Sequence, residues 1–476
     1  MKAWLKKTAW YEWGLVGLAF VIMFAWSMTA TFQGGPDEAM RYEIAQYIYE
    51  HQGALPRGDE ETLLHKIWGI SYAFYPILSY MISALFMGIV GLFNDSKDAL
   101  LHAARFADVC IMTVAAWYVL QIGKKLFGKE KGLFFSILII FLPNFLFLGT
   151  YVNNDCLALL AAAIILYSWV SMLQEGWTWK NCMILAVGMG ICFLSYFNAY
   201  GWILCSFFFF CSTVMLCGKG SWKERFIFLM QKGIGIAGVT VVIAGWWFIR
   251  NAYLYDGDFL GRTSCSACAE LHAKEGYKPS DHWTPVKAGW SLKDMLIYQD
   301  PGWNHNWLIS VMISFIGVFG LFEIYMPETL SKVYVLFLCM GMCGMFWMIR
   351  TFLPVKNQYV VKRTWREEKL VIEKQWEFEK KFDEKGIFNL MMLCSLLIPV
   401  VLFVYYSYTN DLQAQGRYIM PAVYPIIFFA VSGFGKIFEK FFKCENVEKW
   451  FYRITGTLWM IGSIAVYFTV IIPAYC

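Results

Sequence analysis

Long apolar runs separated by short polar connections fill nearly the whole chain of 476 residues. Runs over residues 13–31, 106–122, 132–150, 157–173, 182–197 and 202–217 each approach the roughly 20 residues a helix needs to cross the hydrocarbon core. The series continues over 233–249, 331–348, 388–405, 418–434 and 454–471. The pattern predicts an all-α polytopic membrane protein, one transmembrane domain over 1–476, with about eleven spans and a range of ten to thirteen. Two further apolar runs, 76–93 and 307–325, fit better as helices lying in or dipping into the membrane interface. Counting them as crossings would put like-charged loops on opposite sides.

Basic side chains orient the series. Lys2, Lys6 and Lys7 precede the first run, which has no credible cleavage site and reads as a span with a cytoplasmic N-terminus. The loops with Lys124, Lys125, Lys129 and Lys131, then Lys219, Lys223, Arg225 and Lys232, then Lys436 to Arg453, fall on the same inner side. The acid-rich stretch 32–105 becomes a first outer loop and 250–330 a second. Between them in character lies 353–385, where Arg366-Glu-Glu-Lys369, Glu373-Lys374 and Lys380-Lys381 alternate in sign. That spacing predicts a solvated, charged cytoplasmic helix laced with i,i+4 pairs.

Composition sharpens the class without changing it. The chain is 59% hydrophobic, 19% aromatic and 16% charged, too apolar for a soluble surface. Most of the fourteen cysteines sit inside apolar runs, where they act as small hydrophobes rather than a disulfide framework. Cys265 and Cys268 are apart from these; their spacing, with His272, His282 and His305 further on, leaves zinc, a disulfide or uninvolved thiols open. Asp256 and Asp258 are either metal ligands or parts of an Asp-Gly turn, the turn being the commoner use. No P-loop and no nucleic-acid motif occurs, so neither nucleotide hydrolysis nor nucleic-acid binding is expected.

Three outer segments carry the chemistry. Gly34-Gly35-Pro36 ends the first span, and Asp37 and Glu38 then open a helix through Tyr49. Asp37 either caps that helix and pairs with Arg41, or is a carboxylate whose pKa burial beside lipid raises far enough for it to act as a base. Asn153-Asn154-Asp155 precedes another span and reads as a cap cluster or a second acidic site. Gln413-Ala-Gln415-Gly-Arg417-Tyr418 brings a guanidinium to the same face, to snorkel to lipid or to clamp a phosphate. Together they suit a phosphate-bearing lipid whose head group projects outward.

The run Pro36-Asp37-Glu38-x2-Arg41-Tyr42, the helix ending His51-Gln-Gly53, and the Tyr75-Pro76 start of an interfacial helix resemble the first outer loop of GT-C fold glycosyltransferases. Ala104-Arg105-Phe106, Asn154-Asp155, Arg250-Asn251, Ser314 to Gly320 and Gln415-Gly-Arg417-Tyr418 resemble bacterial members of that superfamily, which includes protein mannosyltransferases and aminoarabinose transferases. The resemblance implies an inverting transfer of a sugar from a polyprenyl-phosphate donor to an acceptor hydroxyl of an envelope glycan, lipid or protein, on the outer face of the cell membrane. It implies Asp37 as the base, Glu38 as a second choice, and Asp155 beside them. Charge and side then suggest Arg417, Arg41 and Arg250 for the donor phosphate and Asn154, Tyr75, Gln415 and Tyr418 for substrate. No metal site is assigned, and a divalent cation is left unassigned as cofactor. The His-Pro-Pro usual before the interfacial helix is replaced by Tyr75-Pro76 alone, and no large soluble domain is expected after the last span, which speaks against an oligosaccharyltransferase. A transporter or flippase of polyprenyl-linked precursors is the alternative. It predicts mid-span charges and repeats, whereas Asp108 is the main charge within the runs.

Overall fold

The computed structural model describes residues 10–352, 355–366 and 369–476. Lys2, Lys6 and Lys7, on which the expected orientation rests, lie outside the described residues, as do the side chains of 353–381. Among the described residues nine helices are long and apolar enough to cross a membrane, from Trp10–Thr29 to Glu445–Tyr475. They coincide with nine of the expected runs. The run at 132–150 is instead broken: a helix Glu130–Ile140 stops, and Pro143 starts a new short helix, Pro143–Leu148, because proline can begin a helix but not continue one. The run at 182–197 is a helix of 15 residues, Trp179–Phe193.

The centre of the bundle is Asp155–Glu175, buried along most of its length, whereas Trp222–Leu254 lies at the periphery with most of its surface open. Between apolar helices in lipid, close backbone approach and dispersion do the work that water exclusion does elsewhere. Gly123 and Gly132 show how. A Cβ on either would land on the other's carbonyl, so the helices Lys97–Phe127 and Glu130–Ile140 meet backbone to backbone.

One end of the bundle is clipped by ion pairs between helices. Lys124 meets Glu12 at 2.8 Å, Lys125 meets Glu175 at 3.3 Å, and Arg453 meets Glu130 at 2.8 Å. The opposite end carries the short elements. Leu78–Gly91 and Trp307–Gly317 have 14 and 11 residues, about 21 and 16 Å of helix, too short for a ~30 Å core. The second of these does not continue to 325; it turns into a two-residue strand pair, Val318–Phe319 with Ile324–Tyr325.

The charged segment corrects the sequence reading. Instead of a helix over 353–385, Val355–Arg366 and Lys369–Phe382 form an antiparallel hairpin with Arg366 opposite Lys369. Leu370, Ile372, Trp376, Phe378 and Phe382 fall on alternate positions, as do Tyr359, Val361 and Trp365. That period of two, in residues that favour strands, outweighs the i,i+4 charge pattern.

Candidate active site

The Asp37 end opens into a cleft of about 1120 Å³, lined by the loop after the first span, by 61–75, by the helix Arg262–His272 and by 406–418. Asp37 enters it from an unusual backbone. Gly35 lies against the Tyr151 ring so closely that a Cβ would overlap its ring carbons, and the chain then turns through Asp37 at φ 61°, ψ 14°. Left-handed backbone costs a non-glycine residue roughly 1 kcal/mol, and it concentrates at functional sites. Asp37 makes no side-chain cap on the helix Glu38–Glu50, so the capping reading is not what its carboxylate does.

Its oxygen goes to arginine instead. Arg417 Nη2 donates to Asp37 Oδ2 at 2.7 Å, and Arg41 Nη2 lies 3.5 Å from the same oxygen. Arg41 is fully buried, with its guanidinium over the Tyr72 ring at 5.1 Å and Nη1 3.6 Å from Asp155 Oδ2. Burial acts to raise the Asp37 carboxyl, but the guanidiniums of Arg417 and Arg41, with hydrogen bonds from Arg417 and Tyr72, outweigh it and hold the group at about 2. The expected upward shift is therefore reversed: burial acts in that direction, but two cations in the same few ångströms win.

The other sequence candidates divide. Asp155, at the first turn of its helix, is buried beside Arg41 and takes a long contact from Asn198 Nδ2 at 3.5 Å. Gln415 Oε1 accepts from Arg417 Nε at 2.7 Å, and the Tyr418 hydroxyl from Arg417 Nη2 at 3.3 Å. Tyr75 lines the cleft and donates to Cys265 Sγ at 3.5 Å. Asn154 is buried with its Oδ1 unpartnered among the described residues, while Asn153 does the capping by accepting from Cys156 N at 3.0 Å.

Glu38 and Arg250 do not hold the positions the sequence reading gives them. Glu38 sits at the wall of the cleft but is gripped by Arg105 through Nε at 2.7 Å and Nη2 at 2.8 Å, both side chains fully buried. Arg105 also donates to the carbonyls of Ser27, Ala30 and Thr31, closing off the end of the first long helix. This bidentate, fully satisfied pair is a structural rivet and leaves Glu38 unfit as a spare base. Arg250 does not line the cleft; it donates to the Pro56 carbonyl at 2.6 Å and ties down the first loop.

Arg105 and Tyr72 are the residues that sequence reasoning undervalues. The sequence reading leaves Arg105 in a loop before its span, yet Ser96 caps a helix that begins at Lys97 and carries Arg105 inward. Tyr72 gives no signal in the sequence beyond its place shortly before a proline-led segment. Cys265 and Cys268 are both free thiols, one turn apart on a helix. Asp258 accepts from Ser264 N and Oγ at 2.8 and 3.1 Å, and Asp256 takes φ 48° in the preceding turn, so this acidic pair builds a turn. Among the described residues no group of three His, Cys, Asp or Glu could hold a metal ion, and the Arg41 guanidinium reaches both Asp37 and Asp155.

A family model described as dolichyl-phosphate-mannose-protein mannosyltransferase matches residues 75–246. No curated protein matches the chain. Among solved structures, the apo oligosaccharyltransferase of Archaeoglobus fulgidus aligns with TM-score 0.56 at 11% identity, over 98% of this chain and 56% of that one. AglB from the same organism, in complex with an inhibitory peptide and a dolichol-phosphate, gives 0.53 at 13% identity, over 99% and 56%. ArnT from Cupriavidus metallidurans bound to undecaprenyl phosphate gives 0.50 at 13%, over 98% and 74%. At such identities the likeness is one of fold. The chain is a multi-pass membrane protein with the fold of the GT-C glycosyltransferases, and it spans 56% of the length of the archaeal enzyme.

Proposed function

We propose that this chain is a glycosyltransferase that moves a sugar from a polyprenyl-phosphate donor to an acceptor hydroxyl, with inversion, on the outer face of the membrane. The observation that carries the reading is the 2.7 Å pair of Asp37 with Arg417 at the rim of a large cleft, backed by buried Arg41 and Asp155. The polyprenyl phosphates bound to AglB and ArnT, which share this fold, support the donor class. Orientation rests on the basic side chains gathered at the Lys124 end.

In the free protein Asp37 is an anion held too acidic to be an effective base. Donor binding changes that. The donor phosphate competes with Asp37 for Arg417, and its own negative charge adds to the effect, so the Asp37 carboxylate becomes more basic as the donor settles. The acceptor oxygen then attacks the anomeric carbon opposite the phosphate. Its proton passes to Asp37, the bond from carbon to phosphate oxygen breaks with its electron pair, and Arg417 stabilises the charge that grows on the leaving phosphate. Arg41 keeps Asp155 and Asp37 in place from beneath. Two carboxylates and two guanidiniums thus give a site poised for an anionic leaving group.

A panel of radiolabelled polyprenyl-phosphate sugars, offered to the purified protein, tests the reading. Sugar transfer or release from one donor, with Arg417→Met losing carrier-lipid binding, is the expected result. Carrier binding without chemistry across the whole panel would contradict it and favour a flippase.

A further inference from the structure

Asp411, Gln413 and Gln415 alternate along the segment 411–415, Arg417 follows in the first turn of the 3₁₀ helix Gly416–Ala422, and all four line the cleft. Leu412 and Ala414, on the other side, pack against the cluster around Trp307 and Phe403. The backbone between them is pinned. Trp307 Nε1 and Ser407 Oγ donate to the Gln413 carbonyl at 2.6 and 3.0 Å, while Ser314 Oγ accepts from Gly416 N at 2.7 Å.

The polar side chains on the cleft side form a continuous ladder. Gln413 Nε2 donates to Asp411 Oδ2 at 2.6 Å, Gln415 Nε2 donates to Gln413 Oε1 at 3.1 Å, and Arg417 Nε donates to Gln415 Oε1 at 2.7 Å. Its direction is not arbitrary. An ionised carboxylate only accepts, so Asp411 turns the amide nitrogen of Gln413 toward itself and leaves the oxygen for the next rung. Gln415 follows in the same sense and must present its oxygen to Arg417, which has donors and no acceptor. Arg417 is therefore held through Nε from one side and reaches Asp37 through Nη2 on the other. Flipping Gln415 alone would face the guanidinium with a second donor, and flipping Gln413 alone would set an amide oxygen against the Asp411 carboxylate.

We propose that Asp411 and Gln413 are positioning residues: through Gln415 they set the plane of the Arg417 guanidinium and so aim it at the leaving phosphate. The proposal rests on the transferase reading for the chemistry it serves. It adds two residues that touch neither Asp37 nor Arg417.

A double-mutant cycle on the full-length protein tests it. Gln413→Leu, which keeps volume and removes both rungs, is expected to lower kcat about tenfold or more, since small misplacements of a catalytic group are costly. In an Arg417→Lys background the same change is expected to do almost nothing, because lysine lacks the Nε that the ladder holds. Asp411→Asn, which still offers an accepting oxygen, is expected to retain most activity, and Asp411→Leu is not. Equal losses with Arg417 intact and in the Arg417→Lys background, or unchanged kcat in Gln413→Leu, would overturn the proposal. Binding of sugar-free polyprenyl monophosphate provides the second readout, with the same cycle expected and the same outcomes overturning it. A wild-type chain that neither transfers nor binds this lipid would overturn the transferase reading itself, and the ladder's role with it.

Discussion

The two ends of the helix bundle both hold acids against bases, and they do so in opposite ways. At the Lys124 end the pairs are short, peripheral and partly in solvent: Lys124 and Arg453 keep a third to a half of their side chains exposed. Such pairs contribute about 0–1 kcal/mol each and serve to register helices. At the Asp37 end the arginines are buried, their contacts are uneven, and donors are left over. Arg41 Nε and Nη1, Arg417 Nη1 and Asp155 Oδ2 have no hydrogen-bond partner among the described residues. A charge buried and incompletely matched is expensive, and a protein gains from keeping one where a substrate completes the set. Between these extremes stands Arg105 with Glu38, as deeply buried as Arg41 but fully matched. Burial alone does not separate these arginines; Arg105 is matched on every side, and Arg41 and Arg417 are not.

That contrast can be broken at its most rigid point. Arg105→Met leaves Glu38 buried without its partner and is expected to cost about 3–5 kcal/mol, read as a fall in the thermal unfolding midpoint and in yield. Arg417→Met is expected to cost much less stability, because Asp37 keeps 31% of its side chain exposed, while abolishing activity. If both variants lost stability equally, the distinction between rivet and site would fail. Gly35→Ala comes next. The new Cβ must displace the Tyr151 ring, at about 1–3 kcal/mol, and activity is expected to drop further than stability because Asp37 is two residues on.

The pH profile sharpens the same comparison. In the free protein Asp37 titrates at about 2, so the acid limb of kcat/KM that belongs to Asp37 lies far below neutrality. On the proposed reading, binding of the donor phosphate takes charge compensation away and raises the Asp37 pKa, so the acid limb of kcat is expected at a higher pH than that of kcat/KM. Coincident limbs would show that Arg417 stays with Asp37 throughout the reaction. The smallest expected effect comes from the clipped end. Lys125→Ala removes the contact to Glu175, with a stability change below about 1 kcal/mol and unaltered turnover.

Much of this architecture is legible in the sequence because lipid imposes a strong rule: a spanning segment must be long, apolar and helical. Nine of the expected runs are such helices, and the run at 132–150 is interrupted where Pro143 starts a new helix. Asp37, Asp155 and Arg417 are legible as polar groups stranded beside apolar runs, and they do converge. Their partners are not. Glu12 and Lys124 are 112 positions apart, and Asp37 and Arg417 are 380 apart, so only the packing says which acid meets which base. Glu38 and Arg250 have the right chemistry on the right kind of segment, but bidentate capture by Arg105 and a reach toward Pro56 leave neither free for substrate. The strand pair Val355–Arg366 and Lys369–Phe382 is hidden in the sequence because a charge alternation with helical spacing overlies a two-residue apolar period.

The most direct test of the account is the Asp37→Asn variant, assayed for sugar release and for polyprenyl monophosphate binding in one preparation. On the transferase reading proposed above, the substitution removes the base and also the anion that competes for Arg417. Sugar release is expected to fall by about 10²–10⁴-fold while lipid phosphate binds as tightly as before or tighter. Undiminished release would remove Asp37 from the chemistry, and a parallel loss of binding would make the pair with Arg417 structural rather than catalytic.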